Sequence, residues 1–165
     1  FAGALYNDRL PQSSAHHSLV VTCWNNAVNI RKVFKCPFNT AGTMWHSSVL
    51  RLFGAHIGKG FFSPEDISMI MIDPPFCRLG DDVTIDWDGQ IRNHSFEDHC
   101  LKYSIHHVAD RTTLLQASML SMSDTKEGAT LGRKSVTWKG QVLEAGQRYI
   151  GAPAMAVVAD TDAMV

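Results

Sequence analysis

Arg92-Asn93-His94-Ser95-Phe96-Glu97-Asp98-His99 is the densest polar run in the chain. Its residue types suit proton transfer. A neutral imidazole removes a proton from a hydroxyl or amine near neutral pH. A carboxylate beside the ring fixes its orientation. His94 is the expected base, with Glu97 or Asp98 as the carboxylate that orients it. The run falls where the surrounding sequence pattern breaks, and loops on a rigid scaffold are where catalytic groups usually lie. The plainer alternative is a solvated polar loop that packs against a neighbouring subunit.

The histidines also raise metal binding, because neutral imidazole is a good zinc ligand. His94 and His99 are close in sequence and His106-His107 follow. Elsewhere, His56 beside Ile57-Gly58 reads as a corner residue, and His16-His17 as a helix-start or surface pair. Cys23, Cys36, Cys77 and Cys100 lie far apart, without C-x-x-C or zinc-ribbon spacing. They are expected to be free thiols of a reducing compartment. The sequence contains no phosphate loop, dinucleotide fingerprint, nucleophile elbow or zinc-protease motif. Its carboxylates are not paired in a way that points to glycoside hydrolysis. Asn93-His94-Ser95 matches the N-glycosylation pattern, which carries meaning only in a secreted chain.

The 165 residues amount to one domain with room for a continuous core, and 45% are apolar against 19% charged, a globular balance. The formal net charge of −1 gives no basic excess to attract nucleic acid or an anionic membrane. No run approaches the ~18 apolar residues of a membrane span. The chain starts at Phe1 rather than Met, as a processed product, a fragment or a trimmed form would. Any targeting segment would be lost with the true start, so the sequence gives no compartment beyond the thiol argument.

Residues 17–35 carry apolar side chains mostly three and four apart, which predicts an amphipathic helix. Pro37 ends it, since the residue before proline avoids helical angles. Residues 44–53 predict a second, shorter helix that stops at Gly54. Then the period changes. Leu79, Ile85 and Ile91 stand six apart, and Val108, Leu114 and Leu120 repeat that interval. Six is neither the ~3.6 of a helix nor the 2 of a lone strand. It suits a coil in which a short strand and a turn recur in register, stacking same-facing residues into a core. A β-sandwich of short strands is the alternative on spacing alone. Pro74-Pro75 forbids regular ladder pairing in residues 64–78. The intervals from Ile91 to Val108 and from Leu120 to Leu131 are not multiples of six. The first is expected to be a protruding loop and the second a one-residue deletion at a corner. Met119 and Met122 are expected to fill the core.

Ile57-Gly58, Leu79-Gly80-Asp81-Asp82-Val83 and Ala129-Thr130-Leu131-Gly132 resemble the hexapeptide-repeat motif of left-handed β-helix acyltransferases. The closing stretch, Ser135-Val136-Thr137-Trp138-Lys139-Gly140 and then Gly151-Ala152-Pro153-Ala154, resembles the way such enzymes end. Leu52-Phe53-Gly54-Ala55-His56-Ile57-Gly58, Gly80 through Asp86, and His94-Ser95-Phe96-Glu97-Asp98 follow the order of one subgroup. This is the C-terminal hexapeptide domains of nonribosomal-peptide-synthetase-like proteins, poly-lysine synthetase among them. The resemblance covers roughly residues 45–154. It departs at Ala109 and Leu115, where glycine is usual, and at Lys126-Glu127, where an aliphatic-glycine pair is usual.

The resemblance implies a mainly β fold: a left-handed parallel β-helix, forming a three-sided prism, preceded by one or two α-helices. Residues 1–53 would be an N-terminal loop and capping helices, 54–154 the hexapeptide-repeat domain, and 155–165 an extended C-terminal tail. It also implies a trimer, tandem copies mimicking one, or a place in a larger complex, with sites in the clefts between neighbours. The implied activity transfers an acyl or aminoacyl group to a hydroxyl or amine. The donor would be a coenzyme A or carrier-protein thioester, with no tightly bound cofactor. The degraded stretch 103–127 favours an alternative, a catalytically silent structural subunit. A third reading follows from γ-class carbonic anhydrases, which share the prism and bind zinc through histidines. Their histidines lie inside regular coils, whereas His94 and His99 fall where the pattern breaks.

Overall fold

The computed structural model describes residues 40–65, 73–97 and 100–157. The helix expected over 17–35, His16-His17, Cys23, Cys36, Asp98, His99 and residues 158–165 lie outside them.

The apolar stretch 44–53 forms α1 (Trp45–Leu52). Gly54 follows at φ +95°, a left-handed turn that glycine adopts without Cβ strain. The helix turns Leu50 into the same core as the strands. Its Arg51 guanidinium donates to the carbonyls of Ile57 at 2.9 Å and Gly58 at 2.7 Å, which fastens the helix to the first strand. Among the described residues no helix is long and apolar enough to cross a membrane.

Short strands follow: β1 (His56–Ile57), β2 (Cys77–Leu79), β3 (Thr84–Ile85), β4 (Gln90–Arg92), β5 (His94–Glu97), β6 (Cys100–Tyr103) and β7 (His106–Val108). Then come β8 (Thr113–Leu114), β9 (Met119–Ser121), β10 (Asp124–Thr125), β11 (Thr130–Leu131), β12 (Val142–Leu143), β13 (Arg148–Gly151) and β14 (Ala154–Val157). Their pairing is mostly parallel and returns at each circuit of the chain. One ladder runs β1-β2-β7-β10-β12, a second β3-β8-β11-β13, and a third β4-β9. Successive strands go to different ladders, so β2, β3 and β4 are overlaid by β7, β8 and β9. This rules out the β-sandwich alternative, whose strands would pair as antiparallel neighbours.

The six-residue interval is the cause. Leu79 stands opposite Val108, Ile85 opposite Leu114 and Ile91 opposite Leu120. All six belong to one buried cluster. The interval from Leu120 to Leu131 is shortened as expected. Thr125 takes the inward place, opposite Val108 and Leu143. Its hydroxyl is buried against that of Thr112 at 2.8 Å, so neither oxygen is left unsatisfied.

The expected glycine positions divide by reason. A Cβ at Gly58 would lie 2.4 Å from the Gly80 carbonyl oxygen, and one at Gly80 would lie 2.7 Å from the Asp110 nitrogen. These glycines let neighbouring coils approach. Left-handed backbone falls at other positions, on Asp82, Asp88, Arg111, Ala117, Met122 and Lys134 as well as on Gly60, Gly128, Gly140 and Gly146. Ala109 and Leu115 in place of glycine therefore do not interrupt the ladders.

Two expectations need correction. Met119 is half-buried and faces outward beside Gln90, because Leu120 takes the inward side and neighbouring strand residues alternate. Met122 is buried among the core residues, as expected. His56 is an outward-facing residue of β1 rather than a corner, since Ile57 points in. The chain after residue 153 also turns back, with β14 pairing antiparallel to β13.

Candidate active site

The chain leaves the ladders between Ile91 and Val108, as expected. The departure is a β-hairpin rather than an irregular loop: β5 and β6 pair antiparallel, with His94 opposite Tyr103 and Glu97 opposite Cys100. A second departure lies beneath it. Pro74–Phe76 form a 3₁₀ turn with Asp73 at its N-terminal boundary. Proline fits there, since it lacks the N–H that the ladder would need and its φ suits the first turn position.

These two departures meet. His94 Nδ1 lies 2.5 Å from Asp73 Oδ2, with both side chains buried. The contact requires Nδ1–H to donate to the carboxylate. That leaves Nε2 as the basic nitrogen of the neutral ring. The carboxylate on His94 is therefore Asp73. No residue pattern points to it: Asp73 is 21 residues upstream, in a proline-rich stretch without a repeat.

Asn93 locks the two departures together and is fully buried. Its Nδ2 donates to the Phe76 carbonyl at 2.9 Å, and its Oδ1 accepts from the Cys77 thiol at 3.2 Å. Its backbone carbonyl accepts from Ser104 N–H at 2.8 Å. The amide that matches the glycosylation pattern is thus enclosed by the fold and already bonded.

Tyr103 packs beside His94. Its ring stacks on Phe76, with centroids 5.0 Å apart, and lies 6.2 Å from the His94 ring. Its Oη is buried with no hydrogen-bond partner among the described residues. Burial, and then the charge of Asp73, push its pKa above the ordinary phenol value, so the hydroxyl stays protonated.

Glu97 does something else. Lys139 Nζ reaches both of its oxygens at 2.9 Å, Lys102 Nζ donates at 3.0 Å and Ser95 Oγ at 2.7 Å. These bonds, led by Lys139, hold its carboxyl down at about 2. Glu97 ties the hairpin to residue 139 of a later coil. Asp98 and His99 lie outside the described residues.

His106 and His107 diverge, as neighbours in a strand must. His106 is fully buried, and its Nδ1 accepts from Ser123 N–H at 3.2 Å, while His107 is exposed. One ion cannot be held by both. Among the described residues no group of three His, Cys, Asp or Glu is placed to hold a metal ion. Cys77 is fully buried, with its thiol on Asn93 Oδ1.

Solved structures share this fold. A maltose O-acetyltransferase from Clostridium difficile 630 superposes with a TM-score of 0.60 at 11% identity, over 87% of this chain and 89% of that one. A hexapeptide-repeat acetyltransferase from Vibrio cholerae gives 0.63 at 12% identity, over 87% and 93%. The Vibrio cholerae O1 biovar eltor form of that enzyme, complexed with acetyl coenzyme A, gives 0.60 at 14% identity, over 86% and 89%. No protein-family model matches the chain, and no curated protein sequence matches it. At these identities the likeness establishes a hexapeptide-repeat acetyltransferase-like fold.

Proposed function

We propose that this chain is an acyltransferase-like domain with His94 as its general base and Asp73 as the residue that orients it. The observation that carries this reading is the buried 2.5 Å contact between His94 Nδ1 and Asp73 Oδ2. A base needs a fixed tautomer, and this contact supplies one. In the proposed step His94 Nε2 takes the proton from an acceptor hydroxyl or amine as that atom bonds to a thioester carbonyl. The carbon–sulfur bond then breaks, and His94 returns the proton to the departing thiolate. Asp73 stabilises the imidazolium between these events. Coenzyme A or a carrier-protein thioester is the proposed donor, supported by the acetyl coenzyme A complex of the structural neighbour.

The finer reading of the fold belongs here too. Chain circuits that visit three parallel ladders in turn support a three-sided prism, and the fold shared with hexapeptide-repeat acetyltransferases supports its left hand. His94-Ser95-Phe96-Glu97-Asp98 supports kinship with the C-terminal domains of nonribosomal-peptide-synthetase-like proteins. A partner surface, from another copy or a tandem domain, would close the cleft.

One observation favours the silent-scaffold reading: only 7% of His94 is exposed. Thiol release from acetyl coenzyme A, with mixed hydroxyl and amine acceptors, separates the two. His94→Asn and Asp73→Asn are each expected to lower kcat by at least about 100-fold, the usual weight of a positioned base. A wild-type chain that releases no thiol from acetyl coenzyme A or a carrier thioester, or a His94→Asn chain as active as wild type, overturns the catalytic reading and leaves the scaffold.

A further inference from the structure

The outward side of the first ladder carries His56, Arg78 and His107 in one register row on three successive strands. Strands in a ladder lie ~4.8 Å apart, so the row spans roughly 10 Å. The three side chains line an open depression of about 420 Å³, floored by Leu79, Gly80, Val108 and Ala109. That volume is within the ~300–1,000 Å³ range of small-molecule sites.

Arg78 is held from one side only. Its Nη1 bonds to His56 Nδ1 at 2.5 Å and to the Pro75 and Cys77 carbonyls at 3.1 and 3.4 Å. No carboxylate pairs with it among the described residues. Among the described residues nothing bonds its Nε and Nη2, so that edge keeps its donors while the guanidinium is fixed in place. Because His56 Nδ1 accepts from Arg78, the His56 proton sits on Nε2, which becomes a further donor. His107 is exposed on the other flank. The one acid in the row is Asp124, beyond His107, and its Oδ1 is engaged by the His107 backbone N–H at 2.8 Å.

We propose that His56, Arg78 and His107 form a binding site for a phosphate group of a small molecule. A planar fork with unused donors, flanked by two imidazoles and lacking a carboxylate partner, matches a tetrahedral oxyanion. The row belongs to the coil wall rather than to the His94 hairpin, so the site stands whether or not His94 is catalytic. The phosphate belongs either to the thioester donor or to a separate phosphorylated compound.

The test follows the imidazole NMR signals of His56 and His107 during titration of the full chain with inorganic phosphate, then with coenzyme A. Both signals are expected to move with millimolar phosphate. Arg78→Gln is expected to weaken that binding at least about tenfold, the cost of losing a charge-assisted pair. Arg78 also braces local backbone, so His107→Ala, which removes only an exposed ring, is the second variant, with several-fold weakening expected. Tighter binding of coenzyme A than of phosphate, with His94 signals moving too, identifies the thioester donor as the source. Equal binding with His94 unmoved identifies a separate phosphorylated compound. Unmoved His56 and His107 signals with both probes, or phosphate binding unchanged in both variants, overturns the site.

Discussion

Acid should destabilise this fold first through His106. The ring is fully enclosed, and burial is the main cause holding its pKa down at about 4, from an ordinary 6.5. Nearby Asp124 and the adjoining backbone oppose that shift only in part. The unfolded chain takes up this proton as pH falls through about 6.5, whereas the folded chain resists until about 4. The unfolded state therefore binds more protons across that window, and stability is lost as pH falls through it. At ~1.4 kcal/mol per pKa unit, the full loss is about 3 kcal/mol. His106→Gln removes the titration while keeping a side-chain acceptor for Ser123 N–H. Urea unfolding of both chains at a series of pH values between about 7 and 4 gives two curves. Their difference removes the contributions of carboxylates common to both. It should close by about 3 kcal/mol towards the acid end, at a slope nearing ~1.4 kcal/mol per pH unit. Parallel curves would refute the reasoning, as would an NMR titration of His106 near 6.5.

Glu97 should act in a separate, more acid window. Its carboxyl is held at about 2, so its contribution is complete above about 4.5 and is lost as pH falls towards about 2. Glu97→Gln should speed amide hydrogen exchange in β5 and β6 at neutral pH while leaving the ladder strands slow; equal exchange in both chains would mean that the Lys139 contact holds nothing. Tyr103→Phe should cost no stability and add up to about 1 kcal/mol, because it removes a buried hydroxyl with no partner among the described residues. A clear loss in thermal or urea unfolding would show that the hydroxyl is bonded in solution.

The repeat was legible because its physics is local. Each wall needs an inward aliphatic, and a strand of two or three residues with a corner returns that requirement every sixth position, as in Leu79, Ile85 and Ile91. Thr125 was harder to read. It occupies an aliphatic's place but satisfies its hydroxyl on Thr112, a pairing that depends on which coil lies beneath. The helix stop at Gly54 was legible for the same local reason. The outward roles of Met119 and His56 were decided by the parity of neighbours in the strand, which apolar content or glycine proximity does not reveal. At the candidate site only half was visible. His94 stands in a conspicuous polar run. Asp73 is one carboxylate in an unpatterned stretch, and only the 3₁₀ turn at Pro74–Phe76 brings it under the hairpin.

That division follows from what a stacked coil permits. Inside positions are committed to the core, and glycines such as Gly58 and Gly80 are committed to close approach between coils. Chemistry is then left with two places. One is a segment that departs from the repeat, where the backbone is free to bring distant groups together. The Asp73 turn and the His94 hairpin are both of this kind, and Asn93 joins them through Phe76 and Cys77. The other is an outward row, where parallel register sets like-facing side chains side by side without any special loop. His56, Arg78 and His107 are of this kind. The first kind is found by asking where the period fails, and the second by writing out the register and reading across strands. Asp73 yields to neither procedure alone, because its partner lies across two failures of the period at once.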